Sequence, residues 1–208
     1  MTEAGRPRSH GRHGTFGFVD LTCFLADAHE DLVMRLRGAV VRKVPEDRWH
    51  EQADGGGSSI AWLLLHVARH HDLALTTAIK GQPPLFASHA AALGLAGADA
   101  ASGLPEKEDL AVSSGLAPVP LLAYLDVVFA ASERWIRDGG AASLDDVSDV
   151  AGRLEHEAGI DPQRFDWLYG MWSGKSIGWF VQWPIIGHGH SHVGEAISVR
   201  NRMGLSPF

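Results

Sequence analysis

The chain has 208 residues, of which 45% are hydrophobic and 21% charged, and its formal net charge at pH 7 is -7. A chain of this size can bury a substantial core within one domain. The acidic balance leaves no basic stripe that would neutralise a row of phosphates, so we expect no nucleic-acid partner. The longest strongly apolar run, IAWLLLHVA, is too short to cross a bilayer, and we expect no membrane partner either.

The start of the chain combines Arg, His, Gly and Pro without an apolar stretch, which predicts a flexible leader over residues 1–16 rather than a signal peptide. Residues 17–208 are then predicted to form a single domain. The single cysteine, Cys23, excludes an internal disulfide and a cysteine-based zinc finger, which favours a reducing, cytoplasmic location. Any metal in this chain must therefore be held by histidine and carboxylate side chains.

The first two predicted helices are long and apolar on at least one face. Apolar residues recur at steps of three and four from Phe18 to Val40, which indicates a helix that ends before Pro45. A second helix is predicted over residues 60–80, where either residue of the preceding Ser-Ser pair can serve as the N-cap. This second helix carries His66 in an otherwise aliphatic stretch.

The middle of the chain continues the helical pattern. Residues 85–117 show no sustained hydrophobic period, and a connection of this length is typical of a lid, a crossover or a partly disordered segment, so its role stays open. A third helix is predicted over residues 118–138, which the following glycines end. Because no strand-like alternation persists anywhere, we expect an all-α fold.

The last predicted helix begins at Pro184, runs to about Met203 and carries three histidines at alternate positions. At about 100° per residue, His188 and His192 project about 40° apart, whereas His190 projects about 160° from each of them. Only His188 and His192 can therefore converge on one metal ion. In a chain with twelve histidines such a pair also arises by chance, so a third ligand is needed to favour a metal site.

His66 is the candidate for that third ligand, because a buried imidazole needs a hydrogen bond or a metal as its partner. The alternative is a core histidine that is satisfied by a hydrogen bond. His70 lies one turn further on in the polar sequence RHHD, and we expect it to support the site or to be solvated. Glu195 can form a hydrogen bond with His192, which lies three residues before it; the alternative is a solvated salt bridge with Arg200 or a neighbour.

The segments SSIAWLLLHVARHHD and HGHSHVGEAISVRNRMG resemble the DinB/YfiT-like superfamily of metalloenzymes. The resemblance implies a four-helix bundle with a long crossover connection and extra short helices. It also implies that His66, His188 and His192 bind one divalent ion, for which imidazole ligands favour Zn²⁺ or Ni²⁺. Three histidines leave a coordination position open for water or substrate, which is typical of catalytic sites.

The same resemblance implies a function. The superfamily includes thiol-dependent S-transferases and isomerases that use low-molecular-weight thiols such as mycothiol or bacillithiol. Because no motif surrounds Cys23, a reactive thiol would have to come from such a cofactor. We therefore expect a metal-dependent enzyme with a small electrophilic molecule as its substrate. The alternative is a stress-related protein that binds metal or a ligand without turnover.

The seven tryptophans bear on partners, because they exceed what one small bundle comfortably buries. Aromatic side chains are dense between residues 165 and 183, and such a group belongs more often to a core or an interface than to a substrate wall. We therefore expect a homodimer that associates through the first helix or through this aromatic segment.

Overall fold

A computed structural model describes residues 19–207 of the chain. The leader predicted over residues 1–16 lies outside this range, as does Phe18 at the predicted start of the first helix. Within residues 19–207 there is no β-strand, and β-pairing is limited to an isolated antiparallel bridge between Val147 and Ser176. The predicted all-α fold is confirmed.

The α-helices of the described residues are α1 Leu21–Arg35, α2 Ile60–Asp72, α3 Phe86–His89, α4 Leu110–Ser113, α5 Pro118–Arg137, α6 Val150–His156, α7 Asp166–Trp172, α8 Ile177–Phe180 and α9 His188–Arg202. Three π-helical segments directly follow α1, α2 and α8, at Leu36–Val41, Leu73–Ile79 and Val181–Gly187. Short 3₁₀ turns occur at Glu46–Arg48, Ala53–Gly55 and Gly140–Ser143. Over the part of the chain described, no helix has both the length and the apolarity that crossing a membrane requires.

Four long helices form the bundle, and they pack around its axis in the order α1, α5, α2, α9. Each of them contributes buried side chains to one apolar cluster, for example Leu32, Leu64, Leu125 and Val193. Full burial of one such side chain stabilises a fold by about 1.5–3 kcal/mol. This shared core fixes how the facing sides of α2 and α9 meet.

The starts of the long helices follow from their caps. The Asp20 carboxylate accepts the backbone N–H groups of Thr22 and Cys23 at the start of α1. At the start of α2, Ser59 is the capping residue, and its hydroxyl accepts the N–H of Trp62 at 3.2 Å. The third predicted helix, over residues 118–138, differs from α5 by a single residue at its end.

The prediction that Pro184 begins the last helix is wrong. The helix begins seven residues earlier at Ile177, where the Ser176 hydroxyl accepts the N–H of Trp179, and it continues through the π-helical segment into α9. Pro184 lies inside that segment. In a regular α-helix a proline ring clashes with the carbonyl four residues before it, and the wider turn of a π-helix relieves this clash.

The long connection between α2 and α5 is tied to α2 by two buried charged residues. The Asp72 carboxylate, which is fully buried, accepts the backbone N–H groups of Leu85 and Phe86 at 3.0 and 2.8 Å. The Arg69 guanidinium, also fully buried, donates to the carbonyl of Ser102 at 2.9 Å. A buried charge is costly unless it is hydrogen-bonded, so these contacts hold the connection closely against α2.

Candidate metal centre

The three histidines singled out from the sequence lie together between α2 and α9. The Nε2 atoms of His188 and His192 are 3.1 Å apart. The ring centroid of His66 lies 4.9 Å from that of His188 and 4.5 Å from that of His192. All three side chains are buried, with exposed fractions between 1% and 9%. The fold therefore brings one imidazole from α2 against a pair from α9.

The helical register of α9 is the one predicted. His190 projects away from the site, where its Nε2 lies 3.9 Å from the Asp31 carboxylate of α1. Gly189 packs against α1, and a Cβ atom at this position would lie only 2.7 Å from a methyl carbon of Leu32. The absence of a side chain there lets α9 approach α1 closely.

A fourth group joins the histidines from the long connection. The Glu106 carboxylate oxygens lie 3.7 Å from Nε2 of His66, 3.8 Å from Nε2 of His188 and 3.7 Å from Nε2 of His192. One potential ligand atom from each of these four residues lies within 4.8 Å of all the others. The Glu106 side chain is 72% exposed, so it covers the site from the solvent side.

Sequence reasoning missed Glu106. The residue stands in the segment PEKED, inside a connection that has no helical period, so its spacing from the histidines carries no signal. Long-range hydrogen bonds from α2 to residues 85–104 bring this part of the chain back to the histidines. The role of residues 85–117, which the sequence left open, includes placing Glu106 at the site.

Hydrogen bonds orient two of the three rings. Nδ1 of His66 donates to the carbonyl of Gly103 at 2.9 Å, and Nδ1 of His192 donates to the Glu195 carboxylate at 2.9 Å. With the proton held on Nδ1, each Nε2 presents its lone pair to the centre. The contact of Glu195 with His192 is the one predicted, and Arg200 instead donates to the carbonyl of Ala39.

Burial keeps the imidazoles of His66 and His188 neutral. It lowers the pKa of His66 to about 4 and that of His188 to about 2, and the nearby His192 adds to both effects. The hydrogen bond from His192 lowers the pKa of Glu195, which keeps this carboxylate ionised. Neutral imidazoles are the form in which histidine binds metals, so these rings need no deprotonation near neutral pH.

His70 supports the site without joining the group of four. Its ring lies 4.6 Å from that of His66 and 4.5 Å from that of His188. Nε2 of His70 donates to the carbonyl of Leu104 at 2.8 Å, which ties the connection to α2 two residues before Glu106. Of the two roles expected for His70, solvation is wrong, because the side chain is buried.

The geometry fits a divalent ion. Two nitrogens bound to a tetrahedral zinc at about 2.0–2.1 Å would lie about 3.3 Å apart, close to the 3.1 Å between the Nε2 atoms of His188 and His192. Nε2 of His66 is buried and has no hydrogen-bond partner among residues 19–207. Leaving such an atom unpaired costs about 1–3 kcal/mol, and a bound cation would remove that cost. Imidazole ligands suit both Zn²⁺ and Ni²⁺.

Residues 28–196 match the family model described as the DinB superfamily. The chain belongs to the DinB superfamily. The match begins within α1, includes α2 and α5 and ends within α9, so all four residues of the metal group lie within it. Comparison of this DinB protein with curated proteins and with solved structures found no match.

In this DinB protein the aromatic segment between residues 165 and 183 is divided between the core and the site. Trp172 and Phe180 are fully buried, whereas Trp167 and Trp183 are 38% and 40% exposed. The two exposed rings help to enclose a cavity of about 50 Å³ beside the histidines. The residues that line this cavity are His70, Glu106, Trp167, Met171, Trp172, Trp183, Pro184 and His188. Part of the segment is thus a wall of the site.

Proposed function

We propose that this protein is a metal-dependent enzyme that joins a low-molecular-weight thiol to a small electrophile or isomerises such an electrophile. Zn²⁺ or Ni²⁺ would be held by His66, His188 and His192. The observation that carries the proposal is the convergence of three imidazoles and the Glu106 carboxylate, each of which offers a ligand atom within 4.8 Å of the others. The fourth group, Glu106, comes from an exposed connection, so a substrate can take its place at the site.

When bound, the ion supplies positive charge that favours the thiolate form of a thiol or the hydroxide form of water. The protein residues supply the remaining functions. Glu106 lies beside all three histidines and faces solvent, so it is placed to accept the proton of an incoming thiol. The sulfur electron pair then forms the bond to carbon. In an addition, the π pair of that carbon moves to the neighbouring atom, which takes the proton back from Glu106; with an aryl chloride, the carbon–chlorine bond breaks, chloride leaves with its pair, and Glu106 releases the proton to water.

The surrounding residues hold the site in position. Glu195 and the carbonyl of Gly103 fix the rings of His192 and His66 through their Nδ1 atoms. Carboxylate and carbonyl partners of this kind make a ligating imidazole more basic and fix its tautomer. We assign Glu195 a positioning role rather than direct contact with substrate.

The test is a conjugation assay with mycothiol and an activated aryl chloride. The enzyme is first stripped with a chelator and then restored with Zn²⁺ or Ni²⁺. We expect turnover only after metal is restored, and we expect Glu106→Gln to reduce it by about 10²–10⁴-fold, the range typical of a positioned acid or base. Lys107→Gln changes the neighbouring residue of the same connection and serves as the matched control. Stoichiometric metal without any metal-restored turnover would instead support the alternative of a non-catalytic binding protein.

We also propose that the protein is a cytoplasmic homodimer. Leu21, Phe24 and Met34 of α1 expose 46%, 58% and 57% of their surface, and exposed apolar surface of this kind is typical of interfaces. The single cysteine, Cys23, is free and suits a reducing compartment. Light scattering tests the dimer, because Phe24→Glu should halve the molar mass if α1 forms the interface.

A further inference from the structure

A groove between α1 and α5 lies on the other side of the bundle from the metal centre, which is between α2 and α9. Its volume is about 300 Å³, at the lower end of the range typical of small-molecule sites. Ala26 of α1 and Ala130 of α5 line it, and their short side chains leave room between the two helices. Val33 and Phe129 add apolar walls. This space, which we call the α1–α5 groove, therefore suits a small molecule with an apolar body.

A buried histidine of α1 also lines the α1–α5 groove. His29 exposes only 3% of its surface, and neither of its ring nitrogens forms a hydrogen bond within residues 19–207. Nε2 is shut off from solvent, whereas Nδ1 is not. Burial lowers the pKa of His29 to about 4, so near neutral pH the ring is uncharged and Nδ1 can accept a hydrogen bond. Because buried polar side chains are nearly always paired, this imidazole points to a ligand that donates a hydrogen bond.

The charged residues along the α1–α5 groove favour a cation over an anion. Both arginines that line it are already paired, Arg37 with Asp126 and Arg137 with Glu133, and the second pair is 2.9 Å long. Glu30 lines the groove from an exposed position and forms no ion pair with any of the described residues. The charge that is left without a partner is thus a single carboxylate.

We propose that the α1–α5 groove binds a small organic cation, in which an ammonium group is attached to a flat, apolar body. The ammonium donates one hydrogen bond to the Glu30 carboxylate and another to Nδ1 of His29. An ammonium has three donors and no acceptor, which matches this pair of acceptors. The apolar body packs against Val33 and Phe129. This site is separate from the metal centre and does not depend on the proposed function.

Benzylamine, benzyl alcohol and benzoate test the groove, because they share a flat apolar body and are respectively positive, neutral and negative near neutral pH. Each is titrated into the full-length protein labelled with ¹⁵N, in zinc-free and in zinc-loaded samples. We expect benzylamine to shift the ring nitrogen resonances of His29 in a saturable way, with the same affinity in both samples. Benzyl alcohol should bind about fivefold more weakly, as expected for loss of an ion pair at an exposed carboxylate, and benzoate should not bind.

Three variants, all at exposed positions, separate charge from shape. Glu30→Gln removes the partner of the ammonium and should weaken benzylamine binding about fivefold. Asp27→Asn removes the same charge from α1 outside the groove, so the affinity for benzylamine should stay unchanged. Ala130→Leu fills the groove and should abolish the shift of the His29 resonances.

Four results would overturn the proposal. The first is the absence of a saturable shift of the His29 resonances with benzylamine. The second is equal weakening of benzylamine binding by Glu30→Gln and Asp27→Asn, which would show only a general effect of charge. The third is binding of benzoate as tight as that of benzylamine. The fourth is binding of benzylamine that requires zinc, which would place the amine at the metal centre instead.

Discussion

The Nε2 atoms of His188 and His192 lie 3.1 Å apart on successive turns of α9. Two ring nitrogens remain this close only if one donates a proton to the other or both bind the same cation. Because Nδ1 of His192 donates to Glu195, the Nε2 atom of His192 carries a lone pair that points at its neighbour. Either His188 donates its Nε2 proton to this lone pair or a cation takes the place of that proton, and His66 lies beside the pair on the facing helix.

The first prediction concerns metal stoichiometry. His188→Ala removes one of the three imidazoles and should abolish stoichiometric Zn²⁺ binding. His190→Ala should retain one ion per chain, because His190 lies near Asp31 on the other side of the helix. Elemental analysis of the two purified variants measures this directly. Equal metal loss in both would show that the three-histidine site is wrong.

The second prediction concerns the carboxylate behind His192. Glu195→Ala removes the acceptor for Nδ1 and should weaken metal binding by about 10–100-fold, as is typical of partners that orient a ligating histidine. Glu195→Gln keeps an oxygen acceptor and should lose much less. Competition with a zinc-binding dye gives both affinities. An unchanged affinity in Glu195→Ala would contradict the positioning role.

The third prediction concerns Gly103, whose carbonyl accepts the hydrogen bond from His66. Its φ of +83° disfavours any side chain, and an added Cβ would lie 2.8 Å from Cγ of Arg69 and 3.0 Å from Cγ of Leu65. Gly57 has a similar φ of +80° with no atom within 4 Å of an added Cβ, so it is the matched control. Backbone strain should cost both alanine variants about 1–2 kcal/mol of unfolding free energy.

Only Gly103→Ala meets the additional steric overlap, which should cost a further 1–3 kcal/mol or so. Urea denaturation of the two variants measures the difference between them. Gly103→Ala should also bind zinc more weakly, because the ring of His66 loses its fixed acceptor. If the two variants were equally stable, the close packing of Gly103 against α2 would be contradicted.

The fourth prediction is a pH dependence of stability that comes from His29, which is buried outside the metal centre. Burial lowers its pKa to about 4, and the nearby Glu133 only partly opposes this effect. In the unfolded chain a histidine titrates near pH 6.5, so between about pH 6.5 and 4 the unfolded state binds more protons. The stabilisation from neutral His29 is therefore complete above pH 6.5 and is lost as the pH falls.

At pH 5 this loss amounts to about 2 kcal/mol of unfolding free energy relative to pH 7.5. His29→Gln should flatten the decline between these pH values by about that amount. His50→Gln, at an exposed position, controls for the loss of a histidine. Urea denaturation at the two pH values, with metal removed by a chelator, measures the slopes. A decline in His29→Gln as steep as in the unsubstituted protein would rule out this contribution.

The helices and the histidines that meet between α2 and α9 could largely be predicted because their signals are local. The apolar period of α1, the serine that caps α2 and the i, i+4 spacing of His188 and His192 all act within a few residues. The predicted start of the last helix was wrong because proline usually occupies the first turn of a helix. Pro184 instead lies in a π-helical segment, which no local sequence pattern predicts.

The sequence by itself determined the all-α fold, the long helices and the two faces that carry His66 and the α9 pair, because helical periodicity and capping are properties of neighbouring residues. Only the tertiary structure decided that Glu106 meets these histidines and that Trp172 and Trp183 border the same centre. Their positions depend on how the long connection and the aromatic segment fold back onto the bundle. Buried hydrogen bonds such as those of Arg69 and Asp72 hold the long connection against α2. They join residues far apart in the chain, so no periodic pattern in the sequence predicts them.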